Sequence, residues 1–414
     1  MSTLFAHGIT AGADIPIPMT IAAAAAAAVL VLSFLVLAFG WTRPRLNAPV
    51  ERTRPLPKAL DVTFGALGVT VFAVVAYAGL AGTALPNENL APTAVYVGFW
   101  VGIAFASVLF GDVFRHVSPW RAVGRAAGWA ATRLGLASAP APYPERLGRI
   151  PAAAGLFAFA VCELCWERAG EPRALAILML VYFAVMLVGM SVYGVDAWVR
   201  NADAFGVLFS LLGARGRGAA EAGVAGTMLL LIVAIGSTAF DGAREASGFA
   251  TVADVLEGIG TTGGRIAGLA LCVALAVAIW AAGLAPIRKH ARAFTHTLIP
   301  IAAGYLVAHY FSLAVIGGQA LWPLANDPLG AGKDVFGGAA AQVDYAALGA
   351  TAIWWVQIIA LVSGHVAALV LAHDRALEVY GDARAAARSQ VTMLGLMVVF
   401  TCTGLWLLSS GFNA

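Results

Sequence analysis

The feature that most constrains this chain is a series of about ten apolar stretches, each close to the length of a bilayer-crossing helix. Such a helix needs roughly 20 predominantly apolar residues, and in lipid its backbone groups must be hydrogen-bonded within the element. The sequence therefore predicts an all-α fold, a polytopic membrane helical bundle of about ten transmembrane helices. The stretches are Met19–Phe39, Val62–Gly82, Thr93–Phe110, Ile150–Trp166, Ala174–Tyr193, Val224–Phe240, Ile266–Leu284, Leu298–Ile316, Leu348–Ala372 and Val391–Leu408.

Lys and Arg residues alternate between the loops. The first, third, fifth, seventh and ninth loops are basic, whereas the second has no Lys or Arg and the sixth and eighth are net acidic. Because cytoplasmic loops carry the excess of Lys and Arg, this alternation supports the number of spans and places both termini on the extracytoplasmic side.

Composition agrees with a membrane protein and excludes other classes. The chain has 414 residues, of which 61% are hydrophobic and only 11% charged, against about 45–50% and about 25% in soluble domains. A net charge of +3 gives no sign of nucleic-acid binding, and four Cys are too few for a disulfide scaffold.

We predict a single integral membrane domain, residues 1–414, without a soluble appendage. Within it, residues 119–134 have the Trp and Arg spacing of an amphipathic helix on the inner surface. Residues 317–348 form a long, glycine-rich outer loop. The apolar stretch Phe205–Leu212 is too short to cross and is predicted to be interfacial or re-entrant.

Histidines occur inside two successive predicted spans. In the eighth, His296 lies at the inner end, and Tyr305, His309 and Ser312 share one helix face at positions i, i+4 and i+7. In the ninth, His365 is embedded, and His373 and Asp374 lie at the inner end. His365 and His373 are about 12 Å apart along a continuous helix, so they cannot share one metal ion.

These histidines have four interpretations. Ionisable groups in a bilayer cost roughly 2.5–3.5 kcal/mol each, which makes them candidates for function. The functional interpretations are a metal site, a proton relay and a pair of haem ligands. The structural interpretation is that each imidazole hydrogen-bonds between helices as part of the packing.

A second group of polar residues is predicted on the outer face, toward which His309 points. His and Asp side chains together are plausible ligands for a zinc-like divalent ion, although no tight metal-binding spacing is present. The alternative is that the aspartates are solvated loop groups or helix caps. The group consists of His7, Asp14, Asp241, Gln319, Asp327 and Asp344.

Several segments occur in an order that resembles a known group of bacterial proteins. They are AHGITAGADIPIP, GSTAFDG, HTLIPIAAGYLVAHYFSL followed by GGQ, NDPLG, and GHVAALVLAHDRA. The set resembles the fenitrothion hydrolase-like family of multispanning membrane proteins, over most of the chain and most strongly between His296 and Arg375. The resemblance implies a location in the bacterial cytoplasmic membrane.

The resemblance also implies hydrolysis of lipophilic organothiophosphate triesters of the fenitrothion type, with the bilayer and a small lipophilic substrate as partners. The positions to test are His7, Asp14, Asp241, His309, Gln319, Asp327, His365, His373 and Asp374. We predict a zinc-like divalent metal ion held by His7, Asp14, Asp241 and His309. His365, His309 and Gln319 are the catalytic candidates, and His296 is a further candidate.

Two other functions remain open from the sequence alone. The first is a transporter or a proton or metal-ion pathway that uses the intramembrane histidines. The second is a haem-binding electron carrier with paired axial histidines.

Overall fold

The computed structural model describes residues 17–46, 56–136, 138–214, 222–244 and 261–410, and helices without strands make up the regular structure of these ranges. The principal helices are α1 (Met19–Gly40), α2 (Lys58–Ala81), α3 (Leu90–Phe110), α4 (Pro119–Arg133), α5 (Ile150–Cys165), α6 (Pro172–Tyr193), α7 (Ala204–Leu212), α8 (Thr227–Arg244), α9 (Thr261–Gly283), α10 (Leu298–Val315), α11 (Ala350–Tyr380) and α12 (Val391–Ser410). Shorter helices are Phe114–Val117, Val195–Asn201, Leu321–Asn326 and Ala383–Ser389, with 3₁₀ turns at Ala285–Thr297 and Gly317–Ala320.

The predicted membrane bundle is confirmed. Eight helices in the described ranges are long and apolar enough to cross a bilayer, or nine if Ala383–Ser389 and Val391–Trp406, bent by 41°, form one span. The fourth predicted span corresponds to α5, which has 16 residues, ends in a π-helical turn at Val161–Cys165 and is not among these membrane-length helices. At 1.5 Å per residue it is about 24 Å long, less than the roughly 30 Å of a hydrocarbon core.

Two contacts link segments that the predicted alternation places on the same side. The indole of Trp41 in the first loop donates to Asp374, which adjoins the ninth loop, at 2.9 Å. On the opposite face, the Thr83 amide of the second loop donates to the Leu329 carbonyl of the eighth at 2.8 Å. We call the face of the basic loops the inner face and the other the outer face.

The largest buried core of the bundle contains residues of α3, α5, α7, α8 and α10, and α11 packs against α10. Gly304 of α10 and Gly364 of α11 let these two helices touch, because a Cβ at Gly304 would lie 2.8 Å from the Ala360 carbonyl oxygen. Small residues at such crossings permit close backbone packing within membranes. The short helix α7 is enclosed by the core, with seven of its nine residues buried, so it is not an interfacial helix.

Two other predicted features have defined structures. Residues 119–133 form the amphipathic helix α4, which Ser118 caps by accepting from the Arg121 amide. The outer loop contains the short helix Leu321–Asn326 and is then ordered by its own polar side chains, since Asn326 accepts from the amides of Phe336 and Gly338.

Candidate functional site

The carboxylate of Asp241 lies at the outer end of α8 and is fully buried. Arg244, less than one turn further along α8, donates to Oδ1 at 3.0 Å. His309 Nε2 lies 3.0 Å from Oδ2, and the Tyr310 hydroxyl donates to the same oxygen at 3.2 Å. A buried charge is costly unless it is paired and hydrogen-bonded, and Asp241 has both kinds of partner. This arrangement joins α8 to α10 through an ionisable group.

The hydrogen bond to Asp241 orients the imidazole of His309. An ionised carboxylate only accepts hydrogen bonds, so Nε2 carries the proton and Nδ1 is the basic nitrogen of the neutral ring. The Nδ1 edge lies beside Gly242, where an added Cβ would be 3.6 Å from both Cε1 and Nδ1. The geometry is that of a histidine held in one tautomer by an aspartate, the arrangement used in general-base catalysis.

Arg244 connects this pair to the outer end of α5. Its Nη1 donates to the Leu164 carbonyl at 2.9 Å, within the π-helical turn Val161–Cys165. Glu163 in the same turn is partly buried and interacts electrostatically with both Asp241 and Arg244. Single π-helical turns of this kind occur frequently at functional sites. The cluster thus contains two carboxylates, one guanidinium, one imidazole and one phenol.

A column of aromatic rings runs from this cluster toward the inner face. The Tyr310 ring lies 6.4 Å from Trp100, Trp100 lies 6.5 Å from Phe209, and Phe209 lies 5.5 Å from Phe114. These are centroid distances typical of edge-to-face and tilted aromatic pairs. Trp100 belongs to a π-helical segment of α3, Ala94–Ile103.

The inner end of the column reaches a cavity of about 1020 Å³, and Phe114 is part of its lining. Asp203 is fully buried in the lining, and accepts from the Trp120 indole at 2.7 Å and from the Tyr182 hydroxyl at 2.9 Å. Burial raises the pKa of Asp203 to about 6, against the lowering effect of these hydrogen bonds. Titratable groups therefore lie at both ends of the aromatic column.

His365 lies in the middle of α11, away from Asp241. Its Nδ1 is 2.9 Å from the Leu361 carbonyl oxygen on its own helix, and its ring packs against Tyr305 at a centroid distance of 5.9 Å. The hydroxyl of Tyr305 donates to the Phe400 carbonyl. The structure thus brings His309 together with Asp241, while His365 contacts a different set of groups.

Gln319 and Asp327 order the outer loop. The Gln319 side chain exchanges two hydrogen bonds with the backbone of Asp344, at 3.0 and 3.1 Å. Asp327 accepts from the amides of Ala331 and Gly332. These contacts correspond to the loop and capping alternative that the sequence left open for this group.

The inner-face candidates hold the start of the first loop in place. His373 Nε2 lies 2.9 Å from the Trp41 carbonyl oxygen. Asp374 accepts from the Trp41 indole and from the amides of Arg45 and Leu46 at 2.7–3.1 Å. His296 is buried close to Leu371 of α11, and its Nδ1 has no hydrogen-bond partner among the described residues.

His7 and Asp14 lie outside the described residues, so their part in the predicted metal site stays a prediction. Within the described ranges no group of three or more His, Cys, Asp or Glu side chains is placed to hold a metal ion. Asp241 and His309 are turned toward each other, and Arg244 already supplies a cation to the carboxylate. These donors alone therefore do not make a zinc-like site, which needs further ligands.

Three members of the outer cluster were not among the sequence candidates. Arg244 had a detectable signal, because it follows Asp241 at the i+3 spacing that pairs charges on a helix. Glu163 is a carboxylate within the apolar stretch of the fourth predicted span, which is a signal of the kind used for the histidines. Tyr310 is adjacent to His309, and only the rotation of α10 against α8 shows that both side chains reach Asp241.

No family model, no curated protein and no solved structure matches the chain. What is established is therefore a multi-pass helical membrane protein with a buried carboxylate–imidazole pair.

Proposed function

We propose that the chain is a membrane-embedded hydrolase of lipophilic phosphotriesters, with His309 as the general base and Asp241 as the residue that positions it. The supporting observation is the 3.0 Å contact between a buried Asp241 and His309, with Arg244 compensating the carboxylate charge. The substrate class comes from the resemblance of the sequence to fenitrothion hydrolase-like proteins. We place the protein in the bacterial cytoplasmic membrane on the same basis.

Hydrolysis of an aryl phosphotriester requires a general base but no strong general acid. Nδ1 of His309 takes a proton from a water molecule, the water oxygen bonds to phosphorus, and the phosphorus–oxygen bond to the aryl group breaks. The bonding electrons leave with the nitrophenolate, which is a stable anion and needs no strong acid. A positioned base of this kind contributes typically 10²–10⁴-fold. A neutral triester partitions into lipid, which concentrates it around the helices of the membrane bundle.

The experiment uses the full chain reconstituted in nanodiscs with a fenitrothion-type triester, and measures nitrophenolate release by absorbance. We expect His309→Ala to lower kcat by at least about 100-fold. Unchanged turnover would refute the proposal. Elemental analysis of the same samples tests the predicted zinc-like ion. Stoichiometric metal that is lost in His309→Ala would reassign His309 as a ligand.

A second candidate function is proton-coupled transport, which one observation favours. The aromatic column places Trp100 and Phe209 between titratable groups near opposite faces, as expected for a closed pathway with two polar ends. Proteoliposomes with an internal pH dye test this function. Transport predicts that Phe209→Ala increases proton flux and leaves triester turnover near zero in every variant, whereas hydrolysis predicts turnover without flux.

A further inference from the structure

The cavity on the inner face is large and built from separate parts of the chain. Its volume of about 1020 Å³ is at the upper end of the range for small-molecule sites, roughly 300–1,000 Å³. Its walls come from the start of α2, the segment 110–125 and the segment 196–214. Sequence segments from three basic loops thus converge on one concave surface.

The lining of this cavity is rich in cations. Six Lys or Arg side chains and four Asp side chains line it, so the formal charge is positive. The cations are Lys58, Arg115, Arg121, Arg125, Arg149 and Arg200. An excess of Lys and Arg in inner loops is expected from topology alone, but topology does not require these residues to converge on a cavity.

The carboxylates in the cavity already have partners in the protein. Asp61 lies 3.0 Å from Arg125, 3.4 Å from Arg121 and 3.2 Å from the His116 ring. Asp203 is held by two aromatic donors, and burial raises its pKa. Burial also raises the pKa of Asp112, where the opposing effect of nearby arginines is smaller. The carboxylates therefore neutralise only part of the positive charge.

Three of the cations have no carboxylate partner. In the part of the chain that the structure describes, Lys58, Arg115 and Arg200 form no ion pair. All three residues are exposed, whereas Arg121 in the same lining is buried and donates to Asp61 and to the Arg115 carbonyl. Several unpaired cations in one cavity lining favour an anionic ligand that is multiply charged, since each additional charge–charge hydrogen bond adds to the affinity.

The cavity also has an apolar side. Leu56, Phe64 and Phe110 belong to its lining, and Phe110 is 78% exposed at the end of a membrane-length helix. An exposed Phe at this position faces the acyl region of the inner leaflet or the ligand. The combination of an apolar wall with clustered cations is suited to a molecule that carries an anionic group on an apolar body.

We propose that this cavity binds a phosphate-bearing anion through Lys58, Arg115 and Arg200. The phosphate comes either from the headgroup of an anionic lipid or from a soluble phosphate compound, and both sources use the same cations. This site lies on the opposite face from Asp241 and His309, so it is independent of the proposed hydrolysis.

The test compares wild type with the double variant Arg115→Gln/Arg200→Gln, and uses Arg384→Gln/Arg388→Gln as the matched control. The control arginines are also exposed on the inner face and lie outside the cavity lining. In the lipid arm, native mass spectrometry counts phosphatidylglycerol retained from mixed nanodiscs. In the soluble arm, pyrophosphate is titrated into phosphatidylcholine nanodiscs and the Tm is followed by tryptophan fluorescence.

We expect binding in at least one arm for wild type and for the control, with affinity about tenfold weaker in the cavity variant. Binding in the lipid arm identifies a headgroup ligand, and binding in the soluble arm alone identifies a free phosphate compound. Lys58→Gln provides a milder variant should the double variant fail to fold, with a reduction of at least about threefold expected. Absence of binding in both arms, or equal weakening in the control, overturns the proposal.

Discussion

Substitution of Asp241 and of Asp374 by Asn distinguishes an effect on turnover from an effect on stability, with Asp374→Asn as the control. Both carboxylates are buried, with 0% and 4% exposure, and each accepts three hydrogen bonds that the structure resolves. The partners of Asp241 are the side chains of Arg244, His309 and Tyr310. The partners of Asp374 all belong to residues 41–46. An Asn in place of either residue removes the charge and keeps the size.

The loss of stability is expected to be similar for the two variants. A hydrogen bond to a charged acceptor contributes about 1.5–3 kcal/mol, and a neutral one about 1 kcal/mol. Three weakened bonds therefore lower the free energy of unfolding by about 3 kcal/mol in both Asp241→Asn and Asp374→Asn.

The effect on turnover is expected to differ sharply. The Asn at position 241 can turn its NH₂ group toward His309, which then accepts at Nε2 and carries its proton on Nδ1. That tautomer has no basic nitrogen facing away from residue 241, so kcat should fall by about 10²–10⁴-fold. In Asp374→Asn the environment of His309 is unchanged, and we expect kcat per folded molecule within about twofold of wild type.

The assay measures unfolding in mixed micelles and nitrophenolate release in nanodiscs on the same preparations, with turnover normalised to the folded fraction. The reasoning is refuted if Asp374→Asn loses as much turnover as Asp241→Asn. It is also refuted if Asp241→Asn keeps wild-type turnover while it loses the expected stability, because the tautomer would then be irrelevant.

Three further predictions concern Tyr310, Asp203 and Gly304. Tyr310→Phe should lower the free energy of unfolding by about 1–2 kcal/mol and reduce turnover. The control Tyr305→Phe should lower the free energy of unfolding by a similar amount and leave turnover unchanged. Equal turnover in the two variants would contradict a role for the Tyr310 hydroxyl at Asp241. Asp203→Asn should flatten the pH dependence of stability. Because the pKa of Asp203 is raised in the folded state, the free energy of unfolding of wild type is highest at low pH and falls by about 3 kcal/mol as the pH rises from 3.8 to above 6. A difference in stability between wild type and Asp203→Asn that does not change with pH would contradict this prediction. Gly304→Val should lower the Tm and separate α10 from α11, measured by cysteine cross-linking; an unchanged Tm would show that the contact is not tight.

The helical bundle was predictable because its determinants are local. The length of an apolar run and the count of Lys and Arg in a loop can both be read without knowing any tertiary contact. What could not be read this way is the form of the end of α5, which is a π turn at Val161–Cys165. That ending coincides with the contact of Arg244 to the Leu164 carbonyl, which is a tertiary interaction.

The site was only partly predictable because it depends on how helices rotate against each other. His309 and Asp241 share the outer half of the membrane, and depth can be estimated from sequence. The face of α10 that packs against α8 cannot be estimated from the sequence. The spacing i, i+4, i+7 placed His309 on one face with Tyr305 and Ser312. In the structure, His309 and its neighbour Tyr310 both reach Asp241, while Tyr305 is turned toward His365. Two imidazoles of similar sequence context therefore have different surroundings.

The two buried carboxylates also differ in a way that bears on the choice between hydrolysis and transport. Asp241 is held by a guanidinium and an imidazole, whereas Asp203 is held by an indole and a phenol without a cation. The aromatic column lies between these two carboxylates. Phe209 and Phe114 have no group that can transfer a proton, and the indole N–H of Trp100 can only donate a hydrogen bond. A proton can therefore move between the two carboxylates only if these rings swing aside or water enters. The proposed hydrolysis uses the outer cluster without any movement of the column, so movement of Phe209 is a requirement specific to transport.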